Sequence, residues 1–352
     1  MEKGMKIAVY TIAKNEEQFV QRWAESCKEA DFRFILDTGS TDLTIEKARE
    51  FGVECEYDYV HPWRFDDARN IALSWIPEDI DICIALDMDE VLQPGWRQAL
   101  ESIADSVTRP RYKYVWSWNE DGSEGLVYGG DKIHRRHGYH WKHPVHEVLK
   151  SVGVGEIQDW VEGLEIHHHP DHTKSRSQYF DLLKLAVEED PHDDRNQFYL
   201  AREYYFREEY GLAQFHFSEH LKLSQWRPER AASYRYLAAM RPDATEALLY
   251  RALSEDSNRR ETWIDLAKHY MDVKNWKRCR MACREALAIK EKPLDYLCTA
   301  EAWGSAAYDM MALSYYYGGN SFMASYYGLK ALEIEPNNER LKTNQKWYNK
   351  ES

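Results

Sequence analysis

An α/β domain followed by an all-α repeat domain is what the sequence predicts, and three observations carry that reading. Up to about residue 170, short β-branched runs ending in acidic or polar residues alternate with segments of helical spacing. After Pro170 such runs become scarce, and Ala, Leu, Tyr and Arg recur at helical spacing from Lys174 to Asn344. Within that stretch Tyr204, Tyr236 and Tyr270 lie 32 and 34 residues apart, with Tyr315 in phase after a longer insertion. A fixed period of this length marks a helical repeat. The predicted domains are therefore residues 1–172 and 173–352.

The first run, Lys6 to Ile12, reads as a strand that leads through Ala13-Lys14-Asn15-Glu16-Glu17 into a helix marked by Phe19, Val20, Trp23 and Cys27. Phe32 to Leu36 is a second strand, ending at Asp37-Thr38-Gly39-Ser40-Thr41-Asp42 before a helix from about Leu43 to Phe51. Val53 to Tyr57 forms a third, and Phe65-Asp66-Asp67-Ala68-Arg69-Asn70 opens a helix toward Trp75 with an acid near its N-terminus. Ile82-Cys83-Ile84-Ala85-Leu86 has the look of a fully buried strand, and Asp87-Met88-Asp89 ends it. Two carboxylates thus reach the edge where open α/β sheets bind ligands. An acidic pair there can hold a divalent cation through oxygen. In a chain with 60 acidic residues, the competing reading is a solvated turn.

TIAKNEE, DTGSTD, FDDARN and DMDE, in that order and spacing, resemble the inverting glycosyltransferases of family 2, whose A-type (GT-A) fold is a nucleotide-diphosphosugar-binding α/β domain. The resemblance covers roughly residues 5 to 172 and takes in HPVHE and LEIHHHPD. It implies that Thr11, Ala13, Lys14, Asn15, Glu17, Asp37, Asp67, Arg69, Asp87 and Met88 meet the nucleotide sugar. It further implies a divalent cation, Mn2+ or Mg2+, bound by Asp89 with Asp87, and a donor such as UDP-glucose or a related UDP-hexose.

Displacing a nucleoside diphosphate from a sugar builds negative charge on the leaving oxygen, which a metal stabilises as a Lewis acid and which Arg69 and Lys14 could help to neutralise. Inversion also needs a base for the acceptor's proton, and a carboxylate of suitable pKa serves. Glu147 in His143-Pro144-Val145-His146-Glu147 is the first choice and Asp131 the second.

His134, His137, His140, His143 and His146 fall three apart, but Gly129-Gly130, Gly138 and Pro144 argue against one continuous helix through them. A hydrogen-bonded structural role is favoured for each of them. His167, His168, His169 and His172 follow. In LEIHHHPD the resemblance implies a histidine that completes the metal shell, His168 before His169. A strand sends such neighbours to opposite faces, so one of the two points at the metal. No Cys-x-x-Cys accompanies them, which weighs against structural zinc.

The helical half resembles tetratricopeptide repeats. Gln197, Leu200, Ala201, Tyr204, Ala213 and Phe217 form one copy, and Trp263, Leu266, Ala267, Tyr270, Cys279, Cys283 and Ala286 another. Tyr308, Met311, Ala312, Tyr315, Ala324, Ala331 and Pro336 form a third, followed by a capping helix. The copy around Tyr236, Leu249 and Ala252 is degenerate. Most of the aromatic stripe is expected to be packing.

At 352 residues there is room for two cores, and the net charge of −14 disfavours non-specific binding to nucleic acid or an anionic bilayer. A local basic patch around Lys132, Arg135, Arg136 and Lys142 could still face a phosphate. Six scattered cysteines fit reduced, buried thiols. With no signal sequence and no apolar stretch near the roughly 20 residues of a bilayer span, a soluble cytoplasmic protein is expected. The leading expectation is a metal-dependent hexosyltransferase, with a catalytically inactive sugar-nucleotide-binding scaffold as the alternative and a nucleotidyltransferase disfavoured because TIAKNEE has no glycine. The expected acceptor is a peptide, a saccharide or a lipid-linked saccharide, with a modified nucleic-acid base less attractive. The repeats would serve acceptor docking, a protein partner or homo-oligomer formation.

Overall fold

Alternation along the first strand decides how the α/β unit is layered. In the computed structural model, which describes residues 4–153, 155–171 and 178–350, that strand is β1 (Ile7–Ala13). Ile7 and Val9 face one side of it, Ala8 and Tyr10 the other, as the period of two requires. The chain continues through α1 (Val20–Ser26), β2 (Phe32–Asp37), α2 (Thr44–Glu50), β3 (Glu54–Tyr57), α3 (Phe65–Ser74) and β4 (Ile82–Ala85). These are the elements expected from the sequence, each within a few residues. Next come β5 (Glu90–Leu92), α4 (Trp96–Glu101), β6 (Arg109–Val115), β7 (Val127–Gly130), β8 (Ile133–Arg135), β9 (Tyr139–Lys142), β10 (Val148–Ser151), β11 (Gln158–His168) and α5 (Tyr179–Glu189).

Five strands form one sheet in the order β3-β2-β1-β4-β8, with β1 to β4 parallel and β8 antiparallel to β4. The chain steps outward from β1 to β3, then returns to the other side of β1 as β4. The C-terminal ends of β1 and β4 therefore flank the switch point where such sheets bind ligands. Val20, Trp23 and Ala48 cover one face with Ile7, Val9, Ile35, Ile82 and Ile84. Ala72, Leu73, Ile76 and Trp141 cover the other with Tyr10, Leu36 and Cys83. Fully burying one such large side chain contributes about 1.5–3 kcal/mol.

A second sheet, β5-β11-β6-β7, and the hairpin of β9 and β10 complete this unit. Antiparallel pairing of β11 with β5 sets His168 opposite Glu90, one residue beyond Asp89. The histidines three apart lie on β8, β9 and the segments around them, so the glycine and proline argument against one helix holds.

The chain divides into two compact units, Met1–Ala186 and Val187–Ser352. The expected boundary at 172/173, with His172, lies outside the described residues. The division falls within α5, fourteen residues later than the change in composition predicts. Tyr179 accounts for part of this shift: its ring meets Phe65 edge-on at 5.5 Å and His146 at 6.1 Å, so the start of α5 belongs to the α/β unit.

In the second unit α6 (Asp194–Phe206) packs on α7 (Tyr210–Leu223), α8 (Arg227–Met240) on α9 (Thr245–Glu255), and α10 (Arg260–Asp272) on α11 (Trp276–Ala288). After the short α12 (Ala300–Trp303), α13 (Ala306–Tyr316) packs on α14 (Ser321–Ile334), and α15 (Glu339–Lys350) caps the stack. Leu200, Ala201, Ala213, Leu266, Ala267, Ala286, Ala312, Ala324 and Ala331 are buried, as the repeat frame requires. The tyrosine period has a backbone counterpart. Glu209, Asn275 and Asn320 donate their N–H groups to the carbonyls of Tyr204, Tyr270 and Tyr315, at 2.9, 2.7 and 2.9 Å. In each case the residue before the donor, Glu208, Lys274 or Gly319, has positive φ, which is the geometry that closes a helix C-terminus. The turn from α8 to α9 is closed differently, by Ala244 N–H to the Arg241 carbonyl, in keeping with a degenerate copy.

All six cysteines are buried and unbridged. Burial pushes the thiols of Cys27 and Cys83 up to about 12, so they act as small apolar side chains. Among the described residues no helix is long and apolar enough to cross a membrane.

Candidate active site

The loops after β1 and β2 close on each other before any ligand is considered. Asn15, in the left-handed region at φ 57°, accepts from Thr41 N–H at 2.7 Å through Oδ1, and its own N–H donates to Ser40 Oγ at 2.9 Å. Asp37 accepts from Ser40 N–H at 3.0 Å. The Ala13 carbonyl takes both the N–H and the hydroxyl of Thr38, at 2.9 and 3.1 Å. Glu17 Oε2 accepts from Leu43 N–H at 3.1 Å, where α2 begins. Thr11 is fully buried and Lys14 is exposed. Asn15, Glu17 and Asp37 therefore shape this edge of the sheet as well as lining it.

A chain of ion pairs runs across the end of β4. Arg69, almost wholly buried on α3, donates from Nη2 to Asp87 Oδ1 at 2.7 Å and from Nε to Glu147 Oε1 at 2.5 Å, with its guanidinium 4.9 Å from the centre of the Trp141 ring. Lys132 Nζ continues the chain to Asp87 Oδ2 at 2.5 Å and to Glu90 Oε1 at 2.8 Å, and Tyr114 OH donates to that same Glu90 oxygen at 2.6 Å. Burial alone would raise the Asp87 carboxyl, but Arg69 and Lys132 outweigh it and hold the group well below the usual carboxylate range. Both Asp87 oxygens are thus paired with cations of the protein.

Three other expected site residues are placed as follows. Met88 is buried in the core, so its side chain does not face a ligand. Asp67 is largely exposed and lies 3.6 Å from Arg64, while its neighbour Asp66 is buried and takes both Nε and Nη2 of Arg64. Asp131 is bound to Arg109 at 2.9 Å, and Arg109 also holds Glu156 at 3.1 Å. These bonds tie Asp131 to a different arginine from the one that holds Glu147. The HPVHE loop docks on the start of α3, where Phe65 N–H donates to the Pro144 carbonyl at 3.0 Å. Within it His143 and His146 have φ of 86° and 49°, so strained backbone flanks Glu147.

Asp89 and His168 form a pair of their own. His168 Nδ1 lies 2.9 Å from the Trp116 carbonyl, which can only accept, so this nitrogen carries the proton. Nε2 faces Asp89 Oδ2 at 3.2 Å. In the neutral ring that leaves a lone pair opposite a carboxylate, and either a proton or a cation must lie between them. Burial opposes the charged ring, yet Asp89 raises its pKa above the ordinary value. A carbonyl on the far nitrogen is also what fixes the tautomer of a metal-ligating histidine. The residues fit Mn2+ or Mg2+, which take few protein ligands and fill their shell from phosphates and water. His169 points elsewhere: its ring stacks on Trp118 at 5.7 Å, and only its N–H, donated to the Asp89 carbonyl at 2.8 Å, touches the pair.

The sequence reading missed two polar clusters. Glu124, Glu165 and His167 converge, with Lys113 Nζ 2.6 and 3.4 Å from the two carboxylates. In the helical unit Asp194, His220 and Glu229 converge, and buried Ser233 hydrogen-bonds His220 Nδ1 at 2.8 Å. That unit also holds a cavity of about 470 Å³ bordered by Asp272, Glu301, Asp309 and Glu335 with Lys268 and Arg340. Glu165 and His167 stand in LEIHHHPD, but Glu124 and the groups of the helical unit stand in no motif, so spacing gives no signal for these clusters.

No family model and no curated protein matches the chain. The helical half is similar to solved tetratricopeptide-repeat proteins. Yeast Tom70 matches at 18% identity and a TM-score of 0.39 over 51% of this chain and 36% of its own. A thermophilic TPR protein of Thermus thermophilus matches at 15% and 0.35, over 49% and 89%. The C-terminal part of a TPR repeat-containing protein from Cytophaga hutchinsonii matches at 14% and 0.41, over 50% and 66%. The chain thus spans about a third of the length of the yeast protein. Likenesses this shallow do not bear on function.

Proposed function

We propose that the protein is a metal-dependent inverting glycosyltransferase that moves a sugar from a UDP-hexose, UDP-glucose or a relative, to an acceptor held with help from the helical repeats. The observation that carries this reading is the Asp89–His168 pair, with its fixed tautomer, at the switch point of the parallel sheet. Asp89 and His168 would hold Mn2+ or Mg2+, which supplies Lewis-acid neutralisation of the diphosphate. Asn15 and Asp37 border the nucleotide on the β1–β2 side. Arg69 orients Glu147 through Nε and Asp87 through Nη2. Glu147 takes the proton from the acceptor hydroxyl as that oxygen attacks the sugar carbon opposite the departing diphosphate.

The test is hydrolysis and transfer from a panel of nucleotide sugars with Mn2+ and Mg2+, read by mass spectrometry of an acceptor pool of peptides and saccharides. Asp89→Ala is expected to abolish turnover, and Glu147→Gln to slow transfer by about 10²–10⁴-fold with donor binding near normal. Full turnover in excess chelator would remove the metal role. Calorimetric binding of UDP without turnover of any donor would make the chain a sugar-nucleotide-binding scaffold instead.

A further inference from the structure

Arg22 lies on α1, whose apolar residues Val20, Trp23 and Ala24 are buried against the sheet. Trp23 Nε1 donates to the Leu86 carbonyl at 2.9 Å, which pins this helix to the segment carrying Asp87 and Asp89. At the other end of the same turn, Gln18 Nε2 donates to Asp171 Oδ2 at 2.9 Å, just past the histidines that close β11. Arg22 thus rides on a helix fastened at both sides of the Asp89–His168 pair. Its guanidinium lies 5.2 Å from the centre of the Phe19 ring, folded back toward the start of the helix.

Two of its nitrogens, Nε and Nη2, are shut away from solvent and donate to nothing. These two form the side-on edge of the guanidinium, the fork that fits two oxygens of one carboxylate or phosphate. Elsewhere in the α/β unit the same edge is filled. Arg64 gives it to both oxygens of Asp66, and Arg136 gives it to the Ile76 carbonyl. Leaving donors buried and unmade is costly, more so on a charged group. Burial lowers the pKa of Arg22, and the charge that opposes this is Asp89. Arg22 therefore lies within electrostatic reach of Asp89, while its Nε and Nη2 form no hydrogen bond to it.

We propose that Arg22 is a diphosphate-binding residue: its Nε–Nη2 edge takes two oxygens of the distal phosphate of a nucleoside diphosphate whose other oxygens would meet the cation that Asp89 and His168 hold. This rests on the nucleotide-sugar reading of the site and names the group that meets the leaving end of the donor. A cation at Asp89 and a fixed guanidinium fork beside it present positive charge from two directions, which suits a phosphoanhydride better than a single phosphate ester. Because the fork is dry and its donors are unpaired, it would act on the charge that builds as the diphosphate departs.

The experiment uses the full chain with Mn2+ and compares wild type, Arg22→Gln and Arg22→Lys by calorimetry with UDP, UMP and inorganic pyrophosphate, beside thermal unfolding of the ligand-free proteins. Losing a charge-assisted bidentate contact is expected to weaken UDP and pyrophosphate by about 10–100-fold in Arg22→Gln, with UMP within about two-fold. Arg22→Lys keeps the charge without the fork and should fall between. The ligand-free Arg22→Gln protein should melt no lower than wild type, because the substitution removes unmade buried donors. A melting temperature that drops together with equal loss of UMP and UDP would assign Arg22 a structural role and overturn the proposal, as would unchanged UDP affinity. Wild type that binds pyrophosphate but neither nucleotide, with that binding lost in Arg22→Gln, would uphold the Arg22 assignment while sinking the nucleotide reading. Wild type that binds none of the three overturns the assignment itself.

Discussion

Arg69 spends three of its contacts on three different parts of the chain: Asp87 after β4, Glu147 in the HPVHE loop, and the face of Trp141 on β9. Removing it takes a buried cation from both carboxylates, and Glu147 is left without this partner while Asp87 keeps Lys132. Arg69→Met is therefore expected to destabilise the α/β unit by about 3 kcal/mol, the range for breaking one partner out of a buried pair, and denaturant unfolding would measure it. His134 offers a pH handle of another kind. Its Nε2 lies 3.0 Å from the Tyr10 hydroxyl, which also accepts from Trp141 Nε1 at 2.7 Å, and burial lowers its pKa from 6.5 to about 3. The unfolded chain binds a proton that the folded one refuses, so stability is complete above about pH 6.5 and falls as the pH drops toward 3. Between pH 8 and 5 the loss from this group is about 2 kcal/mol. His134→Gln keeps an acceptor for Tyr10 without a titrating ring. Equal acid sensitivity of variant and wild type, followed by denaturation at both pH values, would refute the assignment.

At the scale of elements, the repeat is written twice, once in side chains and once in backbone turns. Glu208 and Lys274 hold the left-handed position that Gly319 occupies without strain in the last hairpin. Lys274→Gly should thus be neutral or stabilising, whereas Gly319→Ala should cost about 1 kcal/mol, and paired thermal melts would read the difference. Asn275 and Asn320 each follow that turn and cap the next helix, accepting from Arg278 and Met323 N–H at 3.2 and 3.0 Å. Alanine at either is expected to cost about 1 kcal/mol. These turns were legible only in part. The period of Tyr204, Tyr270 and Tyr315 stands in the sequence, but Glu208 and Lys274 are ordinary helix formers whose positive φ no propensity announces. The second sheet was hidden for a related reason: β11 passes through Gly163 at φ 77° and shifts its register against β6, which blurs the alternation that marks a strand.

For the whole molecule, the division within α5 makes a sharper statement about truncation than the change in composition does. A chain ending at 172 lacks Tyr179 and its contacts with Phe65 at the start of α3 and with His146 in the HPVHE loop. A chain ending near 190 keeps them. The longer fragment is expected to unfold cooperatively and to bind UDP with Mn2+ like the full chain, while the shorter one melts lower or aggregates through the patch it exposes. Equal melting temperatures for the two fragments would show that α5 contributes nothing to the α/β unit.

The sequence by itself determined the order of strands and helices as far as β4, the two halves of the chain, and the placing of Asn15, Asp37, Asp87 and Asp89 at strand ends. These follow from local periodicity and from the rule that an apolar run stops where the sheet does. Strand alternation allowed one of His168 and His169, and not both, to point at a given site, but it did not say which. Only the tertiary structure decided which acids are open to a ligand. Asp87 is closed by Arg69 from α3 and Lys132 beside β8, Asp131 is held by Arg109 from β6, and Asp89 is left to His168. Those partners lie 18, 45, 22 and 79 residues away in the chain. Charge is felt through space and not along the sequence, so the state of each carboxylate depends on contacts that only the folded sheets bring together.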